Sequence, residues 1–329
     1  MVLDFLDGGS LYTVSIVDTD GQFIAASGVP RRSIRSQIGS VSTSKTTLYY
    51  LDGDSTIRFI RPKPFAKGIA TQVNLGPNQV AAFAVSPDDL RIAVSVLDYT
   101  HWPVSTRLYV EDLKGGANHV ELFSSSTVLE WPAGWHNGAL VMAIGRNSPP
   151  QNSGEWFERG HGYHVADAKT GNTIRTLCNG GDSYIPESPA GTVCVQYPNV
   201  QYPNASVVSW DGSSRGAPLD GGCPMWGPLS PDGVMANRSI TGPGGGCRAG
   251  DGAFLLAPDG TNMNVNLPRQ ATPVGWIDST HLIMETDIPP GSPQGFLPTE
   301  LVVDIISGVS ATIEPRGSGF FATALPGGL

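Results

Sequence analysis

Phe83-Ala-Val-Ser-Pro87-Asp88-Asp89-Leu-Arg-Ile-Ala-Val94 is the stretch from which the rest of the chain is read. An apolar run of strand character enters a Ser-Pro-Asp turn and leaves as a second apolar run. Pro presets φ in such a turn, and Asp accepts hydrogen bonds from the amides that follow it, so the segment reads as two antiparallel strands tightly joined. The pattern returns at Trp226-Gly-Pro-Leu-Ser-Pro231-Asp232-Gly233-Val-Met-Ala236. A second version, Pro132-Ala-Gly-Trp135-His-Asn-Gly-Ala-Leu-Val-Met142, is matched by Pro273-Val-Gly-Trp276-Ile-Asp-Ser-Thr-His-Leu-Ile-Met284. Matching segments so far apart mark a repeated unit rather than isolated hairpins.

The other half of the unit is an apolar strand, then Asp, then a turn closing near Gly. It occurs in Thr13-Val-Ser-Ile-Val-Asp18-Thr-Asp-Gly21, Leu108-Tyr-Val-Glu-Asp112-Leu-Lys-Gly115 and Tyr163-His-Val-Ala-Asp167-Ala-Lys-Thr-Gly171. It returns in Val207-Val-Ser-Trp-Asp211-Gly212, Phe254-Leu-Leu-Ala-Pro-Asp259-Gly260 and Leu301-Val-Val-Asp304-Ile-Ile-Ser-Gly308. Gly supplies the positive φ that a tight hairpin needs, so each copy is a strand–turn–strand.

The two halves alternate with the ~40–50 residue period of propeller blades. With its Ser-Pro-Asp-Gly turn between inner strands, the chain resembles the propellers of the WD40-like and TolB-like superfamily. That resemblance covers nearly the whole length and implies an architecture, not an activity. The expected blades are 34–75, 79–123, 127–177, 182–219, 223–267 and 271–314. Residues 1–27 and the run Gly319-Phe-Phe-Ala-Thr-Ala-Leu325 supply the strands of a seventh, which closes the ring by pairing the two ends and covers an otherwise bare strand edge. The expectation is therefore an all-β, seven-bladed β-propeller occupying residues 1–329 as one domain. Blade 34–75 fits least well, because its Asp52-Gly53 turn falls between its second and third strands, and six blades is the alternative.

Composition agrees. In 329 residues the hydrophobic fraction is 40%, charged residues are only 15%, and Gly 41 with Pro 27 suits many short elements separated by turns. A net charge of −9 offers no basic footprint for nucleic acid or an anionic membrane surface. No run approaches the ~20 apolar residues of a membrane span, and the first residues lack the basic and apolar regions of a signal peptide. An exported form is thus expected to have lost its targeting segment. The four cysteines lack metal-type spacing, and the local pairings Cys178–Cys194 and Cys223–Cys247 give two disulfides, one of three possible connectivities. Disulfides and low charge point to an extracellular or periplasmic setting; four reduced thiols in the cytosol are the competing reading.

Connections from second to third strands are long in five consecutive blades, at about 98–105, 145–161, 198–204, 241–251 and 287–299, while the turns after the hairpin Asp residues are short. Long loops on a rigid scaffold carry binding residues. The ligand-binding candidates are Asp98, Tyr99, His101 and Trp102; Glu155, Trp156, Phe157, Glu158, Arg159 and His161; Tyr197 and Tyr202; and Phe296. Aromatics beside carboxylates and an Arg offer stacking surface and directional polar contacts; packing of the loops onto themselves is the competing role. His161 and His164, three apart on a strand, point to opposite faces and do not make a metal site. Asp18-Thr-Asp20-Gly21 lacks the spacing of a calcium loop, and no nucleophile elbow or phosphate loop is present. No metal or cofactor is expected.

These features favour a monomeric sensor or interaction module for a protein, peptide, glycan or small-molecule ligand, with a hydrolase or lyase at the loop face or channel mouth as the alternative.

Overall fold

The computed structural model of the chain describes residues 2–5, 11–30, 40–145, 147, 161–179, 187–196, 204–217, 227–238, 253–268, 271–286, 299–313, 319–321, 324 and 327–329. All regular structure among them is β, and no helix occurs. Strands assemble into seven antiparallel sheets of three or four strands. The first sheet comprises Val41–Thr43, Leu48–Asp52, Thr56–Arg61 and Ala66–Gln72 in simple succession. The second is Gln79–Val85, Arg91–Asp98, Ser105–Asp112 and Val120–Ser125. The third is Leu129–His136, Ala139–Gly145, Tyr163–Ala166 and Thr173–Leu177.

In the fourth (Thr192–Gln196, Asn204–Val208, Ser214–Ala217) and fifth (Met235–Arg238, Ala253–Leu256, Asn262–Met263) the first-strand position is marked by single bridges, Ser188 with Gly191 and Leu229 with Met235. The sixth is Ala271–Trp276, His281–Thr286, Glu300–Asp304 and Ser310–Thr312. These six each come from one continuous stretch. The remaining sheet is built from both ends: Gly319–Phe321 pairs with Val2–Phe5, followed by Leu11–Val17 and Phe23–Pro30. The architecture is that of a β-propeller.

Burial explains why first strands are apolar without interruption. All of Gln79–Val85 after its first residue is buried, whereas the fourth strand Val120–Ser125 has no buried residue. A sheet standing edge-on to a central axis has neighbours on both faces near that axis and solvent at its rim, so the alternation of a one-sided sheet is lost inside and returns outside. Apolar clusters run from sheet to sheet. Leu51 and Tyr49 join Phe83 and Val94; Leu108 joins Met142; Trp131 joins Cys194 and Trp210; Val195 joins Met235; Leu255 joins Trp276. Val17 of the terminal sheet joins Ile283 of the sixth, and Val14 joins Leu48 of the first.

The repeated motifs perform the same work at each site. Ser86 Oγ donates to Asp88 (2.6 Å) and accepts from the Arg91 amide (2.9 Å); Ser230 repeats this with Asp232 (3.0 Å) and Val234 (2.9 Å). Where Gly233 supplies φ +89°, the second sheet uses Asp89 at +61°. That residue accepts a hydrogen bond from the Tyr49 hydroxyl (2.8 Å), tying the first sheet to the second. The amides two residues beyond Asp18, Asp167, Asp211, Asp259 and Asp304 donate to those carboxylates at 2.8–3.0 Å. In both Pro-x-Gly-Trp segments the register shifts between Pro and Gly, and the indole N–H then reaches a neighbouring backbone: Trp135 to the Ala84 carbonyl (3.2 Å), Trp276 to that of Pro228 (2.9 Å).

Trp276 is therefore both a packing unit and a hydrogen-bond clamp between the fifth and sixth sheets. Chemical denaturation is expected to show a loss of about 1 kcal/mol for Trp276→Phe, which keeps bulk but strands the Pro228 carbonyl. Trp276→Ala, which also leaves a cavity, is expected to lose about 3–5 kcal/mol.

Candidate functional site

Because successive strands are antiparallel, each second-to-third connection leaves a sheet on the same side as the link to the next sheet. The first-to-second and third-to-fourth turns leave on the other. The connections expected from sequence to be long, at about 98–105, 145–161, 198–204, 241–251 and 287–299, fall between second and third strands. The first sheet differs, closing through a tight turn after Asp52, as its Asp52-Gly53 sequence predicts.

The described part of this side centres on Asp98 at the end of its strand. The Gln79 side-chain amide donates to Asp98 Oδ2 (2.9 Å) and the Thr100 amide to Oδ1 (2.9 Å). The hydrogen bond from Gln79, with those from Thr100, holds the Asp98 carboxyl below the usual carboxylate range. Asp98 thus fixes the loop. The Tyr99 amide donates to the Asn78 carbonyl (3.0 Å), and the half-buried Tyr99 ring packs against the cluster containing Leu97, Val104 and Leu129. Trp102 stands edge-on to Tyr99 with ring centroids 6.2 Å apart and remains 42% exposed; His101 beside it is exposed too.

The far end of the loop is clamped from the third sheet. The Asn147 side chain accepts from the Val104 amide and donates to the Val104 carbonyl, both at 2.7 Å. Asn147 escaped the sequence reading because nothing local distinguishes it from any loop Asn. On the other flank of Asp98 lies an open depression of about 540 Å³ lined by Asp54, Ser55 and residues 72–79, including the amides of Gln72, Asn74, Asn78 and Gln79. Gln79 belongs to both features.

Of the other sequence candidates, His161 lies at the entry to Tyr163–Ala166, its amide donating to the Ile144 carbonyl (2.6 Å). Glu155, Trp156, Phe157, Glu158, Arg159, Tyr197, Tyr202 and Phe296 lie outside the described residues, as do Cys223 and Cys247. Cys178 and Cys194 form a disulfide, Cα–Cα 5.2 Å, linking the third sheet to the fourth. His164 sits on the strand following His161, and among the described residues no cluster of three or more His, Cys, Asp or Glu is placed to hold a metal.

Sequence reading also missed a polar seam between the second and third sheets. Glu130, on a first strand, is buried, and His164 Nδ1 lies 2.9 Å from its Oε1. Register places Glu130 opposite Ile144 and His164 opposite Met142, which packs against Leu108. Ser95, opposite Leu108, shares that seam from the other sheet, and Thr106 is two positions along. Both hydroxyls are buried and meet no hydrogen-bond partner among the described residues. The carboxylate orients the imidazole and favours its charged form. The hydrogen bond His164 makes to Glu130 raises the His164 pKa above its ordinary value despite partial burial. Burial also pushes up the carboxyl of Glu187, which accepts a hydrogen bond from the Tyr163 hydroxyl (3.2 Å).

No protein-family model matches the chain, and no curated protein matches it. Solved structures do. It is similar to the acylaminoacyl peptidase of Pyrococcus horikoshii at 12% identity and a TM-score of 0.53, covering 92% of this chain and 50% of that one. It is also similar to dipeptidyl peptidase 4 of Porphyromonas gingivalis at 9% identity and 0.54, covering 95% of this chain and 50% of that one. TolB of Acinetobacter baumannii matches over 97% of this chain and 64% of its own, with 12% identity and a TM-score of 0.43. Identities this low concern the fold alone; the chain spans half the length of either peptidase. These likenesses agree with the β-propeller architecture of the chain.

A raised histidine pKa contributes stability that is complete below the unfolded value of 6.5 and is lost as pH rises through the folded value. Glu130→Gln is expected to move the His164 titration, followed by proton NMR of its ring, toward the ordinary value. The stability advantage of the native chain over this variant is expected to be larger at about pH 6 than at about pH 9.

Proposed function

We propose that this chain is an extracytoplasmic binding module, a single seven-bladed propeller over residues 1–329 that acts as a monomer and presents its long-loop side to a ligand. In this reading the sheet joining the two chain ends is the seventh blade and closes the ring. Its support is the packing of Val17 against the sixth sheet and of Val14 against the first.

The observation that carries the functional reading is the rigid presentation of an exposed indole, Trp102, backed by the half-buried Tyr99 ring. Trp102 is exposed while the loop bearing it is anchored by Gln79 and Thr100 at one end and Asn147 at the other. A ring so held gives contact area with little ordering entropy. The adjoining depression adds amide donors and acceptors, and together they suit a glycan, a peptide, a polar small molecule or a protein loop.

An extracytoplasmic setting is supported by the Cys178–Cys194 disulfide. A hydrolase or lyase is the second reading, favoured by the oriented Glu130–His164 pair.

Thermal-shift screening against glycan, peptide and metabolite sets is expected to yield a ligand whose affinity falls about tenfold or more in Trp102→Ala, on the scale of losing a buried aromatic anchor. A chain that binds nothing from these sets, or a ligand indifferent to Trp102→Ala, overturns the binding reading. Turnover of such a ligand, lost in both Glu130→Gln and His164→Gln, establishes the second one. For the setting, removing the disulfide by Cys178→Ala with Cys194→Ala is expected to lower stability by about 3 kcal/mol.

A further inference from the structure

On the side opposite the long loops, the last described residues cross three sheets. The Gly327 amide donates to the Ser44 carbonyl (2.7 Å), the Leu329 amide donates to the Trp135 carbonyl (2.8 Å), and His136 Nδ1 lies 2.7 Å from the Leu329 main-chain oxygen. Each partner follows or ends a first strand: Ser44 after Val41–Thr43, Trp135 and His136 at the end of Leu129–His136. Pro87, which Gly328 approaches, follows Gln79–Val85. These first strands touch one another in that order, so the segment runs over the inner rim of the ring.

The fit is selective by shape. A Cβ on Gly327 would stand 2.1 Å from Thr43 Oγ1 and 2.3 Å from its carbonyl oxygen, and backbone there cannot give way cheaply. Gly328 has φ +112°, a region L side chains rarely adopt, and lies against Pro87. Across the groove, a Cβ on Gly134 would come within 2.7 Å of Leu329 Cγ, so the wall is cut back to receive that side chain. Leu329 then packs against the cluster that includes Leu129 and Trp131. Glycine, glycine and an aliphatic residue, held by main-chain bonds and one imidazole, is how a protein reads an extended peptide.

We propose that Gly327–Leu329 is an internal ligand: it fills a peptide groove selective for Gly-Gly-aliphatic sequences at the tight-turn mouth of the propeller and shuts that groove to other chains. A peptide of the same sequence competes with it, and apparent affinity for that peptide is reduced by the fraction of time the internal segment is seated.

The test uses the whole chain and a fluorescein-labelled Pro-Gly-Gly-Leu peptide, read by anisotropy. Gly327→Val, whose side chain collides with Thr43, is expected to unseat the segment and bind the peptide at least about tenfold more tightly than the native chain. Adding Gly134→Val to it is expected to abolish binding by filling the Leu329 site. Equal binding by native and Gly327→Val chains, or none by a Gly327→Val chain with native circular dichroism, overturns the proposal. Hydrogen exchange at the Leu329 amide of the native chain covers the case of a misfolded variant. Slow exchange that accelerates when the peptide is present in excess supports the internal ligand, and exchange at the unprotected rate overturns it.

Discussion

Everything in this fold follows from sheets that are apolar on both faces near the axis. Such a sheet cannot stand alone, and it cannot be satisfied by one partner, because covering one face leaves the other bare. Each such sheet therefore needs a neighbour on either side. The burial of Gln79–Val85 beyond its first residue, set against the exposure of Val120–Ser125, records that demand strand by strand. The terminal sheet meets it at the point where the chain begins and ends, with Val14 and Val17 facing different neighbours. Directional bonds then tie neighbouring sheets together: the indoles of Trp135 and Trp276 each donate to a main-chain carbonyl of the preceding sheet.

With the sheets fixed, the two sides of the disc acquire different chemistry. Carboxylates of the hairpin Asp residues are occupied by amides two residues ahead, which keeps those turns short and their backbone committed. In five of the sheets the second-to-third connections span more residues than these turns. Asp98 shows how one of them is nevertheless held, using a carboxylate as an anchor so that Trp102 can remain exposed. The apolar seams between sheets carry polar insertions as well: Glu130 with His164, and Glu187 with Tyr163. A buried carboxylate is costly unless partnered, and Glu130 and Glu187 each have a partner drawn from a third strand.

Local chemistry by itself determines much of this protein. Strand periodicity, the Ser-Pro-Asp turns, the Asp-to-Gly hairpins and the paired Pro-x-Gly-Trp segments are readable within a dozen residues, because each depends on bonds to near neighbours in the chain. They locate the sheets: the expected blade 79–123 is observed as Gln79 to Ser125, and 271–314 as Ala271 to Thr312. The Cys178–Cys194 pairing is legible for the same reason, its two cysteines being only 16 residues apart.

Tertiary structure alone decided which side chains meet across the seams and over the mouth. Glu130 finds His164 at a separation of 34 residues, Asn147 brackets Val104 at 43, and His136 meets Leu329 at 193. No periodicity encodes these distances, since they follow from how the sheets stack and from which face of each strand turns toward its neighbour. Asp89 makes the point within a motif that was recognised: its position in the turn was plain from sequence, but its bond to Tyr49 exists only because the first and second sheets are stacked. Sequence specified the units and their turns through local bonding, and the stacking of sheets specified the sites through contacts between units.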